Sequence, residues 1–147
     1  MKPVPSLIND CALFSVSQKA IIKDKKGRIL MMEKAGKSHW DIPGGKLDAG
    51  EDMAKSIARE ILEEIGFDKV NVGDIIYAGR RSFEEKDKAE RVMIFYACEI
   101  DHKFEKIKLS DEHSAWRMMS AHDIKDQKKY EINPVVRAAL NVAFAKD

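Results

Sequence analysis

The sequence predicts an α/β domain built on a mixed sheet. Three patterns carry that expectation: β-prone runs flanking a polar turn near the N-terminus, an amphipathic helix in the middle, and further strand-like runs followed by a helix opened by Asn133-Pro134. The first runs are Lys19 to Lys23 and Arg28 to Glu33. With Asp24-Lys25-Lys26-Gly27 between them they read as a hairpin. Ala35 to His39 reads as a loop, and in Trp40-Asp41-Ile42-Pro43-Gly44-Gly45 the proline and paired glycines predict tight turns in place of regular structure.

From about Glu51 to Ile65 the period becomes helical. Ala54, Ala58, Ile61, Leu62 and Ile65 recur at three- and four-residue intervals and predict the core face, and Gly66 supplies the stop. Val70 to Tyr77 and Arg91 to Ile100 are rich in β-branched and aromatic residues and read as strands joined by the charged segment Ser82 to Glu90. Ser120 with Asp123 has capping-box spacing. Asn133 followed by Pro134 predicts a helix running toward Ala145.

Composition narrows the function classes. The 147 residues are 44% hydrophobic and 35% charged, the balance of one globular domain spanning 1–147 with a charge-rich surface. With 26 basic and 25 acidic side chains the net charge is +1, so no whole-protein field draws the chain to nucleic acid or an anionic membrane; an anionic ligand has to be held locally. There is no apolar run of about 18 residues that could span a bilayer. Cys11 and Cys98 have no metal-type spacing, and the chain opens without a signal-peptide pattern, so a reducing cytoplasm is the expected location.

On the central helix, Glu60, Glu63 and Glu64 stand at i, i+3 and i+4. Their carboxylates are expected on neighbouring positions of a face turned away from the core, where mutual repulsion raises each acid's pKa until a cation relieves it. A hard divalent ion such as Mg²⁺ suits carboxylate oxygens and is commonly shared with substrate phosphates. A glutamate-rich helix by itself is usually a solvated face. Here the spacing extends further: Gly45, Glu51, Arg59, Glu60, Ile61, Glu63, Glu64, Gly66 and Phe67 match Gx5Ex7REUxEExGU, U being a bulky apolar residue. Seven fixed letters at that spacing arise by chance roughly once in a million such sequences.

This stretch resembles the Nudix box, and the chain is identified by it as similar to Nudix hydrolases of the MutT-like kind. Phe67 stands where Ile, Leu or Val is commoner. Trp40 to Gly45 resembles the lead-in to that box, and Glu112-His113 with Trp116 resembles a downstream strand of the family. The resemblance implies an α/β/α sandwich with a central mixed sheet. It implies Glu60, Glu63 and Glu64 as ligands of Mg²⁺, with Mn²⁺ as a substitute and a backbone carbonyl of Gly44 or Gly45 completing the set. Arg59 is implied to orient the carboxylates, paired with Glu51, and either a box glutamate or Glu112 to act as general base.

For the substrate, Arg80, Arg81 and Lys46 are candidates to hold phosphates, and Trp40, Tyr77, Phe83 and Tyr96 to stack on a base, although packing in the core is the commoner fate of such aromatics. His113 and His122 read as surface histidines. The implied reaction is hydrolysis of a nucleoside diphosphate linked to another moiety, a nucleoside triphosphate or oxidised nucleotide first. A dinucleoside polyphosphate is the alternative, since Ser110 to Trp116 resembles that enzyme's strand. A non-catalytic nucleotide-binding module ranks below both, because such modules usually lose a box glutamate. The resemblance also admits a homodimer.

Overall fold

The computed structural model describes residues 7–8, 11–81 and 90–146, with side chains from residue 13 onward. Strands are β1 (Leu7–Ile8), β2 (Cys11–Ala12), β3 (Ser15–Ile22), β4 (Ile29–Lys34), β5 (His39–Asp41), β6 (Gly44–Lys46), β7 (Asn71–Arg81), β8 (Arg91–Glu99), β9 (His113–Met119) and β10 (Glu131–Ile132). Helices are α1 (Met53–Ile65), α2 (Ala121–Ile124) and α3 (Pro134–Ala145). Apart from the small β1–β2 pair, the strands form two four-stranded mixed sheets, ordered β6-β3-β8-β7 and β10-β5-β4-β9.

The alternation of side chains along the strands divides the interior in two. Ile21, Ile29, Met31, Met93, Phe95 and Met119 face α3, where they meet Val136, Ala139, Leu140 and Ala143. Ala20, Ile22, Leu30, Met32, Tyr96 and Cys98 face α1 and meet Ile57, Ile61 and Ile65. Helices thus cover opposite faces of the strands, giving the α/β/α sandwich, with the mixed arrangement divided between two sheets.

The expected N-terminal hairpin is corrected. The turn forms, Asp24 accepting from the amides of Lys26 and Arg28 through its side chain, but Lys23 and Ile29 make the one bridge across it. Beyond that bridge β3 joins the parallel strand β8 while β4 pairs with β5 and β9, so the two runs serve different sheets. Gly44 and Gly45 are also not irregular: with Lys46 they form β6, antiparallel to β3.

On α1 the helix starts at Met53 and not Glu51, because the Asp52 side chain caps it by accepting from the Lys55 amide; Gly66, at φ 80°, closes it. Its core face is Ser56, Ile57, Ile61, Glu64 and Ile65. Ala54 is exposed and Leu62 is 48% exposed, so the expected core face is rotated toward Ile57 and Glu64. The capping box at Ser120 and the Asn133-Pro134 start of α3 are present as read. Among the described residues no helix is long and apolar enough to cross a membrane.

Candidate functional site

The glutamates of α1 lie against β6 because β6 is built of glycine. A Cβ on Gly45 would meet the Glu60 carboxylate, and one on Gly44 would meet the Gln18 carbonyl oxygen across the β3 pairing. At Gly44 the obstacle is backbone and only glycine fits, whereas at Gly45 a side chain would displace the movable Glu60 carboxylate. The start of the helix is tied to the same sheet by Gln18, a buried side chain that donates to the Met53 carbonyl at 3.0 Å and accepts from the Tyr96 hydroxyl at 2.7 Å.

The three glutamates occupy three different environments, which corrects the single outward face expected of them. Glu64 is 7% exposed and accepts from the Gly44 amide at 3.2 Å. Burial pushes its acid up to about 8, against the opposing pull of Lys19 and the Gly44 amide. Glu60 is half-sheltered, and its acid is raised first by burial, opposed by Arg59, with Glu63 and Glu112 adding to the rise. Glu63 is mostly exposed.

Arg59 braces this face. Its guanidinium donates to Glu60 and Glu63, each at 3.2 Å, and to Glu51 at 3.1 Å. Glu63 and then Glu51 hold it protonated above its ordinary range. Glu51 is itself fixed by accepting from the Asp48 amide, the leading cause that keeps its carboxyl below the usual carboxylate range, with Arg59 adding to it. The loop before α1 is thereby fastened to the helix.

Beside Glu64 opens a cleft of about 500 Å³, lined by Gly44, Glu64, Asp41, Lys19, Lys34 and the 111–113 turn among others. The turn is docked on the end of α1, where Ser110 N–H donates to the Glu64 carbonyl, and just past the end of β4, where Ala35 N–H donates to the Glu112 carbonyl. Glu112 is exposed at the rim. Lys19 pairs with Asp41 at 2.9 Å. His113, expected on the surface, lines the cleft with its Nδ1 buried, and desolvation lowers its pKa below the ordinary value. His122 is exposed as expected.

The cleft residues Lys19, Lys34 and Asp41 escaped sequence reasoning. The signal available for Lys19 was a lone cation in the apolar run Lys19-Ala20-Ile21-Ile22. Other expected contacts lie elsewhere. Trp40 is buried on the α3 side with its ring edge-on to Tyr130, so it is core and not a stacking platform. Tyr96 is buried on the α1 side, and Tyr77 packs on Phe95. Lys46, Arg80 and Arg81 are outside the cleft lining, Arg80 being paired with Glu90 and set over the Phe14 ring. Phe83 and most of the Ser82 to Glu90 segment lie outside the described residues.

Could the residues hold a divalent ion? Among the described residues no three His, Cys, Asp or Glu side chains converge as a finished cage; Arg59 draws Glu60 and Glu63 aside while Glu64 turns to Gly44. The donor set still fits. Magnesium keeps several waters and needs only one or two carboxylates plus substrate phosphates, and burial raises the acids of Glu60 and Glu64, a penalty on their charged forms that a bound cation would offset.

The NUDIX domain family model matches residues 14–139. The chain belongs to the Nudix family. Among Nudix relatives, the 8-oxo-dGTP diphosphatase of Proteus vulgaris is 38% identical over 52 residues, 33% of this chain and 46% of that protein. The asymmetrical bis(5'-nucleosyl)-tetraphosphatase of Mus musculus is 28% identical over 96 residues, 65% of each chain. The MutT protein from Methanosarcina mazei Go1 superposes with a TM-score of 0.72 at 25% identity, covering 90% of this chain and 94% of that one. The matches to the curated bacterial relatives span less than half of those proteins' lengths.

Proposed function

We propose that the chain, as one Nudix domain, is a Mg²⁺-dependent pyrophosphohydrolase that cleaves a nucleoside diphosphate linked to another moiety, a nucleoside triphosphate or oxidised nucleotide first. The observation that carries this reading is the placement of the complete motif: buried Glu64 and half-sheltered Glu60 set two acids, both raised by burial and so favoured as carboxylates when a cation joins them, beside a cleft that also offers Lys19, Lys34 and the rim carboxylate Glu112. Such an arrangement suits recognition of a cation-bound phosphate chain.

In this reading Glu60, Glu63 and Glu64, with the carbonyl of Gly44 or Gly45, would hold the ion, which when bound supplies charge neutralisation to the phosphates and acidifies water. Glu112 takes the proton of the attacking water from its position at the rim. Arg59 keeps Glu60 and Glu63 oriented and spaced. Hydrogen-bonded to Gly44, Glu64 fixes the distance between the helix and the glycine strand. The similarity to the mouse tetraphosphatase, over 65% of the chain, favours a dinucleoside polyphosphate as the second reading.

The test is release of phosphate or pyrophosphate with Mg²⁺ from a panel of nucleoside triphosphates, 8-oxo-dGTP, dinucleoside polyphosphates, nucleotide sugars and 5′-triphosphate RNA. Wild type and Glu63→Gln are compared. Turnover of at least one nucleotide that falls steeply in Glu63→Gln is expected. Undiminished turnover in the variant, or none in the wild type, sinks the assignment.

A further inference from the structure

Strand β9 carries one residue more than its partner β4 at the edge of the cleft. Met32 pairs with Trp116 and Glu33 with Ala115, but the next pair is Lys34 with His113, so Ser114 is the extra residue. In an unbroken ladder Lys34 would face Ser114, and strict alternation would put His113 on the α3 side with Ala115, Arg117 and Met119. The bulge moves His113 by one position and sets it directly opposite Lys34. Residues directly opposite share a face, and two positions before Lys34 stands Met32, in the α1-side core. Lys34 and His113 are therefore both turned to the side that carries the glutamates, and both line the cleft. Ser114 is held by donating to Glu33 at 3.0 Å, which fixes the bulge. Re-aiming a side chain beside a site is a recurrent use of such an insertion.

The two side chains bring donors to this wall. Lys34 forms no side-chain hydrogen bond or ion pair among the described residues, and His113 Nδ1 is buried without a hydrogen-bond partner. Asp111 and Glu112 flank them on the same turn, so an anion seated here needs both donors. Resting on the pyrophosphohydrolase reading, we propose that Lys34 and His113 form the seat of a terminal phosphate, the Lys34 ammonium donating to its oxygens and the His113 ring turning its unpartnered Nδ1–H out of its buried position to do the same. The preferred substrates then carry a phosphate beyond the diphosphate engaged at the glutamates: the class is nucleoside triphosphates or longer polyphosphates, ahead of nucleotide sugars.

The deciding measurement is calorimetric binding of inorganic tripolyphosphate and of pyrophosphate to the intact protein with Mg²⁺, which needs no turnover. Lys34→Gln and His113→Ala are each expected to weaken tripolyphosphate about tenfold, the loss of one charge-assisted hydrogen bond, and pyrophosphate less than about twofold. His113→Asn, which retains an N–H near the Nδ1 position, recovers most of the loss, and Lys37→Gln on the neighbouring turn changes neither ligand. Wild-type tripolyphosphate affinity in Lys34→Gln or His113→Ala, equal losses for the two ligands, or no binding of tripolyphosphate by the wild type overturns the proposal. Failure to hydrolyse any nucleotide would instead remove the proposed function and leave this binding comparison to be decided on its own result.

Discussion

Glu64→Gln should make the metal-free protein more stable, and increasingly so as pH rises. In the folded chain burial pushes the Glu64 acid up to about 8 from 4.5. Below pH 4.5 both folded and unfolded states hold the proton, so the carboxyl contributes no pH dependence. Between 4.5 and 8 the unfolded chain has released the proton that the folded chain keeps, and stability falls as pH rises. The cost grows by about 1.4 kcal/mol per pH step, reaching roughly 3 kcal/mol at pH 7 and a ceiling near 5 kcal/mol above pH 8. Glutamine removes the titration while its carbonyl oxygen can still accept from the Gly44 amide. For a chain of this size the gain at pH 8 amounts to a rise in melting midpoint of roughly 10–20 °C. The assay is thermal unfolding of wild type and variant in chelator from pH 5.5 to 9. A midpoint difference that stays constant across this range, or a wild type more stable than the variant at pH 8, would refute the reasoning.

Ile61→Ala, which empties a fully buried position on the α1 side, should cost about 2–5 kcal/mol in denaturant unfolding, whereas Leu62→Ala, one residue along and half exposed, should cost about 1 kcal/mol or less. Reversal of that order would contradict the rotated core face of α1. Arg59→Met should lower kcat roughly 10–100-fold by releasing Glu60 and Glu63, with only a small fall in melting midpoint because the guanidinium and Glu63 are exposed although Glu51 and Glu60 are partly sheltered; a large midpoint drop with normal kcat would make the brace purely structural. Tyr96→Phe leaves the buried Gln18 oxygen without its donor and should cost about 1–3 kcal/mol by chemical denaturation. The Cys98 thiol, pushed up to about 12 by burial, should resist iodoacetamide at pH 8 in the native protein and react on unfolding, followed by mass spectrometry of its peptide.

Local signals in the sequence were legible and long-range cover was not. Gly66, Ser120 with Asp123, and Asn133-Pro134 act on their own few residues, and each occurs as read. The motif from Gly45 to Phe67 placed the glutamates on a helix and Arg59 beside them. Periodicity could not say that β6 and the Ser110 segment would close over Glu64, because that cover comes from residues about 20 before it and about 46 after it. The hairpin failed for a similar reason: Asp24 to Gly27 specifies a tight turn, but whether the strands stay paired depends on β8 and β9, which compete for their edges. The bulge at Ser114 has no glycine or proline to announce it. Trp40 lost its ligand role through Tyr130, a ring contact 90 positions away in the chain.

The burial of Glu64 sets the fold against the site. A helix that needs Ile57, Ile61 and Ile65 in the core must also carry Glu64 inward, since positions 61, 64 and 65 lie within one turn on one face. An apolar residue at 64 would relieve the charge but would leave the Gly44 amide without its acceptor. The fold tolerates the carboxylate at a cost that rises with pH, and a cation near Glu64 and Glu60 would recover that cost as binding free energy by favouring the folded, charged form. On the proposed function, adding Mg²⁺ at pH 8 should therefore raise the melting midpoint of the wild type more than that of Glu64→Gln. Equal shifts in the two proteins would mean that the ion gains nothing from the buried charge, and that Glu64 serves the packing of the glycine strand alone.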